Sequence, residues 1–219
     1  MALSTESIVQ VALRLLNQSG LDQLTTRRLA VELDVQSPAL YYHFKDKQEL
    51  LGQMTSVILD QCFAAAAADA GDNADWDVWL CAYARASRLT LLRIRDAARV
   101  LTSQSPTGQM KSKHIPAVIA PLIEAGFSKE LATEASASIA AFMLGWVGNE
   151  QNPAIHAFLA SMLDLDSAFE HGVEALVAGF RVKLAALDKA SRARTGKPSK
   201  PRRRTPRPAP RARSRVNDH

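Results

Sequence analysis

The chain has 219 residues, of which 47% are hydrophobic, and a formal net charge of +5. This is enough apolar material for a packed core, either in one large domain or in a small domain fused to a larger one. No apolar run approaches the ~20 residues of a membrane span, and the first residues lack the basic and apolar stretches of a secretory signal. Cys62 and Cys81 form no close pair, which fits a reducing compartment. We therefore expect a cytoplasmic protein that does not use a membrane.

The first part of the chain begins with two helical segments. Over residues 4–19, apolar side chains recur at the spacing of one helix face, and Gly20 follows as a helix stop. A second helix begins at the pair Thr25 and Thr26, either of which can cap it, and runs to about Leu33.

A third, very short helix follows a turn at residues 34–36. Ser37 is its predicted N-cap and Pro38 its first residue, where the missing N–H of proline is not needed. This helix is predicted to end near Phe44. Asp46 then caps a long helix, with Glu49 three positions later.

The next part of the chain keeps a helical pattern, and no segment alternates with the period of a strand. The helices are predicted near residues 75–92, 95–102, 107–125, 129–150, 155–163 and 166–187. The predicted fold class is all-α. Its predicted parts are a three-helix domain over residues 1–46, a larger helical domain over 47–188, and a tail over 189–219.

The tail differs from the rest in composition and charge. Residues 189–219 hold twelve basic side chains and one acidic side chain, a net charge of +11, whereas residues 1–188 hold fifteen basic and twenty-one acidic ones, a net charge of −6. The tail is rich in Arg and Pro and lacks the apolar residues that offset the entropy of ordering, so we expect it to be disordered. The isoelectric point of about 9.4 therefore describes the tail and not the folded part.

Residues 5–44 have the pattern of a helix-turn-helix, in which a short last helix enters the major groove of DNA. Leu40 and Phe44, four positions apart, are expected to face the core. The side chains left on the outer side, which can reach DNA phosphates, are Tyr41, Tyr42, His43 and Lys47.

Two stretches, residues 24–30 reading LTTRRLA and residues 35–47 reading VQSPALYYHFKDK, resemble the tetracycline-repressor (TetR) family of bacterial transcription regulators. The resemblance implies phosphate contacts by Thr26, Tyr42, His43 and Lys47. It also implies that the bases are read by Arg27, Gln36, Ser37, Pro38, Ala39 and Tyr41.

Several of these roles have a structural alternative. His43 could complement a helix dipole, Tyr41 or Tyr42 could be a packing aromatic residue, and Arg27 could be an ordinary solvated charge. Residues 1–50 carry five basic and six acidic side chains and so have no positive excess. Directed amide N–H groups and a few phosphate contacts must then supply most of the DNA binding.

The resemblance extends more loosely over residues 5–187, carried by 75–101 and 126–151. It implies a ligand cavity in the larger domain and a dimer interface of two helices from each protomer. Small residues in the helix at 129–150 and an apolar stripe in the helix at 166–187 favour the same interface, with an intramolecular core as the alternative. The small residues are Ala132, Ala135, Ser136, Ser138, Ala141, Gly145 and Gly148, and the stripe is Phe169, Val173, Leu176, Val177, Phe180 and Leu184.

For the ligand cavity, the resemblance nominates Phe63, Tyr83, Ser87, Leu101, Gln104, Trp146 and Asn149. The namesake of the family holds a magnesium–tetracycline chelate with a histidine and a glutamate, and Leu101 and Asn149 occupy those two positions here. Leucine cannot ligate a metal, and the neighbouring Glu150 is turned ~100° around the helix. We therefore expect no metal, no cofactor and a mostly apolar organic effector.

Two other functions compete with this interpretation. An enzyme would need a catalytic constellation, but the five histidines are scattered, and the zinc-protease, serine-hydrolase and phosphate-loop motifs are missing. His114, beside a Lys-rich turn, is expected on the surface. The other competitor is a protein that binds nucleic acid non-specifically through its basic tail. The preferred prediction is a homodimeric repressor on the bacterial nucleoid, released from palindromic double-stranded operator DNA by a small-molecule effector.

Overall fold

The computed structural model describes residues 3–72, 74–103 and 107–195, and over these residues the protein is all-helical, as predicted. A 3₁₀ turn at Leu21–Gln23 follows the first helix, and a π-helical turn at Met110–His114 leads into the seventh. The α-helices of the described residues are α1 Thr5–Ser19, α2 Thr26–Glu32, α3 Ser37–Leu40, α4 Lys47–Ala70, α5 Trp76–Leu92, α6 Ala97–Thr102, α7 Ile115–Glu124, α8 Lys129–Glu150, α9 Pro153–Ala160 and α10 Leu165–Thr195.

Side-chain caps fix where several helices begin. Thr25 is the member of the threonine pair that caps α2, because its hydroxyl accepts a hydrogen bond from the N–H of Arg28 at 3.2 Å. Asp46 caps α4 through the N–H of Glu49, at 2.8 Å. Such caps satisfy backbone donors that the helix itself leaves unpaired, so these two boundaries follow from local sequence.

The third helix is shorter than predicted. Ser37, the predicted N-cap, is instead its first helical residue, and Gln36 precedes it in an extended conformation. The helix ends at Leu40, because the N–H groups of His43 and Phe44 both bond to the Leu40 carbonyl, at 2.9 and 3.0 Å. This tight turn brings Phe44 into the core beside Leu40, and both are buried as predicted.

One continuous core joins the N-terminal helices to the rest of the chain. Residues 1–184 form one compact unit, and α4 contributes to the core along its whole length. Near its start, Leu50 lies with Leu29 and Leu40, and further along Cys62 is buried beside Ser87 of α5. The packing is therefore unbroken between residues 1–46, here called the head, and residues 47–184, here called the body.

Most of the apolar stripe of α10 is buried within its own chain, which corrects part of the predicted dimer interface. Four of its residues are buried within the chain: Phe169, Val173, Val177 and Phe180. Leu176 and Leu184 are half-buried. One contact of this packing is the ring of Phe142 on α8, which lies over Gly172 so closely that a Cβ there would overlap it.

The last helix also extends beyond its predicted end. α10 continues to Thr195, past residue 189, where the tail was expected to begin. Residues 196–219 lie outside the described part of the chain, so the disorder expected there stays a prediction.

By length and composition alone, α4 and α8 are apolar enough to cross a membrane. Core helices of soluble proteins pass the same test, and the most apolar stretch of α4 is 56% buried inside the protein. The corresponding stretch of α8 is 33% buried, because α8 leaves an exposed face of small residues that includes Ala141, Gly145 and Gly148.

Candidate DNA interface and effector cavity

The outer side of the head carries the residues nominated for DNA contact. Tyr42 is 90% exposed and Tyr41 is 55% exposed, so the packing alternative fails for Tyr42. The other exposed members of the set are Arg27, Gln36, Pro38 and Lys47, and the half-buried ones are Thr26, Ser37, Ala39 and His43. All of these side chains keep some surface that DNA can reach.

A tight turn sets α3 against α2. Asp34 adopts a left-handed backbone conformation, with φ of 53°, which aspartate tolerates better than most residues. The N–H of Val35 then bonds to the carbonyl of Ala30 at 3.0 Å. The turn thus fixes the direction in which α3 leaves the head.

The positive charges of the head lie on its surface. Arg27, Arg28, Lys45 and Lys47 are exposed. The fifth basic side chain of residues 1–50, Arg14, pairs with Glu32 at 3.0 Å. The head therefore has no net positive charge, yet it exposes cations beside α3. These cations can make short-range contacts with DNA phosphates.

The head is tied to the body by hydrogen bonds between residues 17–22 and residues 95–99, here called the latch. Donor–acceptor distances run from 2.7 to 3.2 Å, and the pairs are Arg95 with Asn17 and Gln18, Asp96 with Leu21, and Arg99 with Asp22. The hydrogen bond from Arg99 lowers the pKa of the Asp22 carboxyl. The latch fixes the orientation of the head at the start of α6.

A cavity of about 240 Å³ lies within the body, bounded by α4, α5, the π-helical turn, α7 and α8. Its walls are mostly apolar and include Leu59, Met110, Ile115, Val118 and Ile119. Two larger depressions, near Asp77 and near His156, are more open and are lined by charged side chains. A mostly apolar cavity with a few polar groups is the usual form of a small-molecule site.

His114 lines this cavity and is 97% buried, which corrects its predicted surface position. It is the last residue of the π-helical turn, and its Nε2 lies 2.8 Å from Oδ1 of Asp60 on α4. Nδ1 has no hydrogen-bond partner among the residues that the structure describes. The lysines at 111 and 113 are exposed, as a surface turn requires, but the ring of His114 packs inward against Asp60 of α4.

An aromatic cluster includes His114. The ring of Phe63 lies 5.7 Å from that of His114, 5.1 Å from Tyr83 and 6.4 Å from Trp79, between centroids. Burial raises the pKa of the Tyr83 phenol, which therefore stays neutral. Two of the nominated ligand residues, Phe63 and Tyr83, thus lie together, and the third, Ser87, is fully buried one turn beyond Tyr83.

The other nominated residues are placed differently. Trp146 packs in a second aromatic cluster, with Phe142 and Phe169, and its Nε1 is unpaired. Leu101 is half-buried against the core, and Asn149 is exposed. Gln104 lies outside the described residues.

A buried ion pair, which the sequence did not indicate, lies between α5, α8 and α10. Arg88 donates two hydrogen bonds to Glu150, both 2.7 Å long, and a third polar contact joins it to Asp166 at 2.7 Å. The Arg88 and Glu150 side chains are only 6% and 7% exposed. Glu150 is therefore committed to Arg88, as well as being turned away from the predicted ligand position.

Within the described residues, no group of three or more His, Cys, Asp or Glu side chains is placed to hold a metal ion. What the body offers a ligand is therefore an apolar cavity with individual polar atoms.

Comparison with known proteins matches both regions. Residues 8–54 match the family model for bacterial regulatory proteins of the tetR family, and residues 70–160 match the tetracyclin repressor-like C-terminal domain. Tetracycline repressor protein class D of Escherichia coli is 32% identical over 204 residues, which cover 84% of this chain and 92% of that protein.

Two solved structures resemble the chain across head and body. A possible TetR family regulator from Streptomyces coelicolor A3(2) is 35% identical with a TM-score of 0.71, covering 82% of this chain and 99% of that one. A TetR variant from Acinetobacter baumannii AYE, solved in complex with minocycline, is 33% identical with a TM-score of 0.71, covering 84% and 99%. The chain belongs to the TetR family of bacterial transcription regulators.

Proposed function

We propose that this protein is a homodimeric repressor that occupies a palindromic operator and leaves it when a small organic effector enters the cavity of the body. The observation that carries this proposal is the connection between two surfaces: α4 packs under the α2–α3 face through Leu50 and lines the cavity through Leu59, while the latch holds the head on the body. An effector can release DNA only if it binds the DNA-incompatible arrangement of the two heads more tightly than it binds the DNA-bound arrangement.

The proposed DNA contacts are made by residues whose side chains keep exposed surface on the head. Bases are read by Arg27, Gln36, Ser37, Pro38, Ala39 and Tyr41, at the start of α2 and along α3. Phosphates are held by Thr26, Tyr42, His43 and Lys47. Because α3 has only four residues, one head offers few base contacts, and two heads are needed for a specific site.

The proposed dimer uses the small-residue faces of α8 and α10, because the large apolar residues of α10 are occupied within the chain. Ala141, Gly145 and Gly148 of α8 and Gly179 of α10 are exposed, and Val182 of α10 is 70% exposed. Small residues allow two helices to approach closely, as a four-helix interface requires.

Footprinting on the DNA upstream of the protein's own gene tests the operator and the dimer together. We expect a protected palindrome whose half-sites lie about one helical turn apart, ~34–36 Å, and a mass in solution of twice 23.8 kDa. A monomer at micromolar concentration that protects a single half-site would contradict the proposal.

The effector is proposed to bind without a metal. Leu101 cannot ligate one, Asn149 is exposed, and Glu150 is held by Arg88. Although the Acinetobacter relative was solved with minocycline, we expect magnesium and tetracycline to leave the operator complex of this chain intact. Release at micromolar tetracycline, abolished by a chelator, would show that the cavity takes a metal chelate after all.

We also infer that the chain is not an enzyme, uses no cofactor and is found on the nucleoid through its DNA contacts. This inference is supported by the scattered histidines and by the regulators among its relatives.

A further inference from the structure

His114 is held rigidly on two sides. Its Nε2 edge faces Asp60, and the ring of Phe63 stacks on its face with an interplanar angle of 19°. Two independent contacts thus fix both the position and the plane of the imidazole. Any hydrogen bond that its other nitrogen makes has a fixed direction.

Asp60 also determines which nitrogen carries the hydrogen. Its Oδ1 accepts from Nζ of Lys113 at 2.6 Å, and although burial raises the pKa of this carboxyl, the hydrogen bonds from Lys113 and His114 lower it below its usual value. An ionised carboxylate only accepts hydrogen bonds. Nε2 of His114 therefore donates to Asp60, and in the tautomer that this hydrogen bond selects, Nδ1 is an acceptor.

That acceptor is buried and has no partner in the described part of the chain. A buried polar atom without a partner is unfavourable, and a group that pairs with it recovers the loss. His114 also lines the cavity, together with apolar side chains such as Leu59, Met110 and Val118 and the hydroxyl residues Tyr83, Thr133 and Ser136. Among the described residues that line the cavity, His114 is the one with a buried polar atom that lacks a partner, and a ligand that reaches this atom can supply one.

The size of the cavity limits the ligand. About 240 Å³ lies below the ~300–1,000 Å³ range of typical ligand pockets. One or two fused rings suit such a volume better than a four-ring skeleton. The flat rings of Tyr83 and His114 in the lining favour a flat molecule.

We propose that His114 is the polar anchor of the cavity, and that the effector is a compact, flat, mostly apolar molecule whose hydroxyl group donates a hydrogen bond to Nδ1. The proposal rests on the proposed function only in calling the bound molecule an effector. Asp60 acts as a positioning residue, since it holds the histidine in the accepting form.

The first test uses the wild-type protein and a matched pair of probes, 2-naphthol and 2-methoxynaphthalene. Calorimetry should find that 2-naphthol binds about tenfold more tightly, because its methyl ether cannot donate to Nδ1. Equal binding of the pair, or no binding of 2-naphthol, would overturn the proposal. Tightest binding by 2-naphthoate would overturn it too, since the site would then select an anion.

The second test changes His114 and Asp60. His114→Phe keeps a flat ring against Phe63 and should remove the tenfold preference, whereas His171→Phe, at an exposed histidine, should keep it. In wild-type protein, ¹⁵N NMR should show Nε2 protonated and Nδ1 bare, and Asp60→Asn should shift this tautomer balance. A preference that survives His114→Phe, or wild-type Nδ1 carrying the hydrogen, would refute the anchor.

These outcomes are separate from those of the operator experiment. A protein that binds its palindrome but shows no 2-naphthol preference keeps the proposed function and loses the anchor. A protein that shows the preference but no palindrome keeps the anchor as a ligand site and loses the proposed function.

Discussion

The carboxylate of Asp96 accepts a hydrogen bond from the backbone N–H of Leu21, at 2.8 Å, across the boundary between body and head. Asp96 itself has a left-handed backbone, with φ of 56°. Its side chain lies so close to Gly20 that a Cβ there would come within 2.8 Å of Oδ2. The latch is thus specific in geometry, since it requires glycine on one side and a short acidic side chain on the other.

Removing the Asp96 carboxylate should loosen the head. We expect Asp96→Ala to lower the free energy of unfolding by about 1–2 kcal/mol, because the Leu21 N–H loses its partner, and to weaken operator binding without changing the preferred sequence. Asp96→Asn keeps an acceptor and tolerates the left-handed backbone, so it is the matched control. Chemical denaturation and operator titration measure both effects, and equal behaviour of the two variants would refute the role of the acceptor.

Breaking the buried ion pair should be more severe. Arg88→Met leaves Glu150 buried without a counter-charge, and we expect a loss of about 3–5 kcal/mol. The double variant Arg88→Met, Glu150→Met should regain most of it. Arg93→Met, at an exposed arginine, should stay within about 0.5 kcal/mol of wild type. A loss no greater than that of the control would show that Glu150 relaxes towards solvent.

Substitutions should distinguish the residues that hold the DNA backbone from the residues that read the bases. Lys47→Ala should weaken all DNA about equally and lower the salt slope by about one unit, whereas Lys129→Ala on the body should change neither. Replacing Ser37 should alter the preference at one base position by ~1–3 kcal/mol if the contact is direct. Selection from a randomised operator library measures both, and an unchanged profile for Ser37 and Ala39 variants would place α3 outside the groove.

Two glycine substitutions can distinguish the small-residue face of α8, which is proposed for the dimer interface, from the Gly172 contact inside the protomer. In the single chain a Cβ at Gly145 meets nothing within 4 Å, so Gly145→Leu should leave the fold intact but raise the dimer dissociation constant. Gly172→Ala, which strikes the Phe142 ring, should destabilise the protomer itself by about 1–3 kcal/mol. Sedimentation and denaturation distinguish the two, and an unaffected Gly145→Leu dimer would place the interface elsewhere.

Truncation after Thr195 removes nine basic side chains and one acidic side chain, at residues 196–219. We expect dimerisation and operator preference to persist, while non-specific binding weakens and association slows, most clearly at low salt where screening is weak. Salt-dependent association rates measure this. Loss of operator recognition at matched salt would instead favour the tail as the main DNA-binding element.

Local signals in the sequence predicted the helical fold and several boundaries. The caps at Thr25 and Asp46 and the paired burial of Leu40 and Phe44 depend on residues three or four positions apart, so a single chain segment contains the information. The short α3 was mispredicted at both ends: Ser37 is already helical and Gln36 precedes it, and after Leu40 the chain forms the turn that brings Phe44 inward.

Contacts between distant segments could not be predicted in this way. The burial of His114 depends on Asp60, fifty-four positions away, and the Arg88–Glu150 pair joins residues sixty-two positions apart. The stripe of α10 was correctly identified as apolar, but a pattern does not say whose surface covers it. The close contact of Gly172 with Phe142 answers that question for the core side of the helix.

Side chains of α4 pack with the head near its start and with the body further along. Head and body should therefore unfold in one cooperative transition with a single calorimetric peak. The three tryptophans, Trp76, Trp79 and Trp146, all lie in the body. Their fluorescence should nevertheless report the loss of the DNA-binding head, and a compound that protects the body against heat should protect the head to the same temperature.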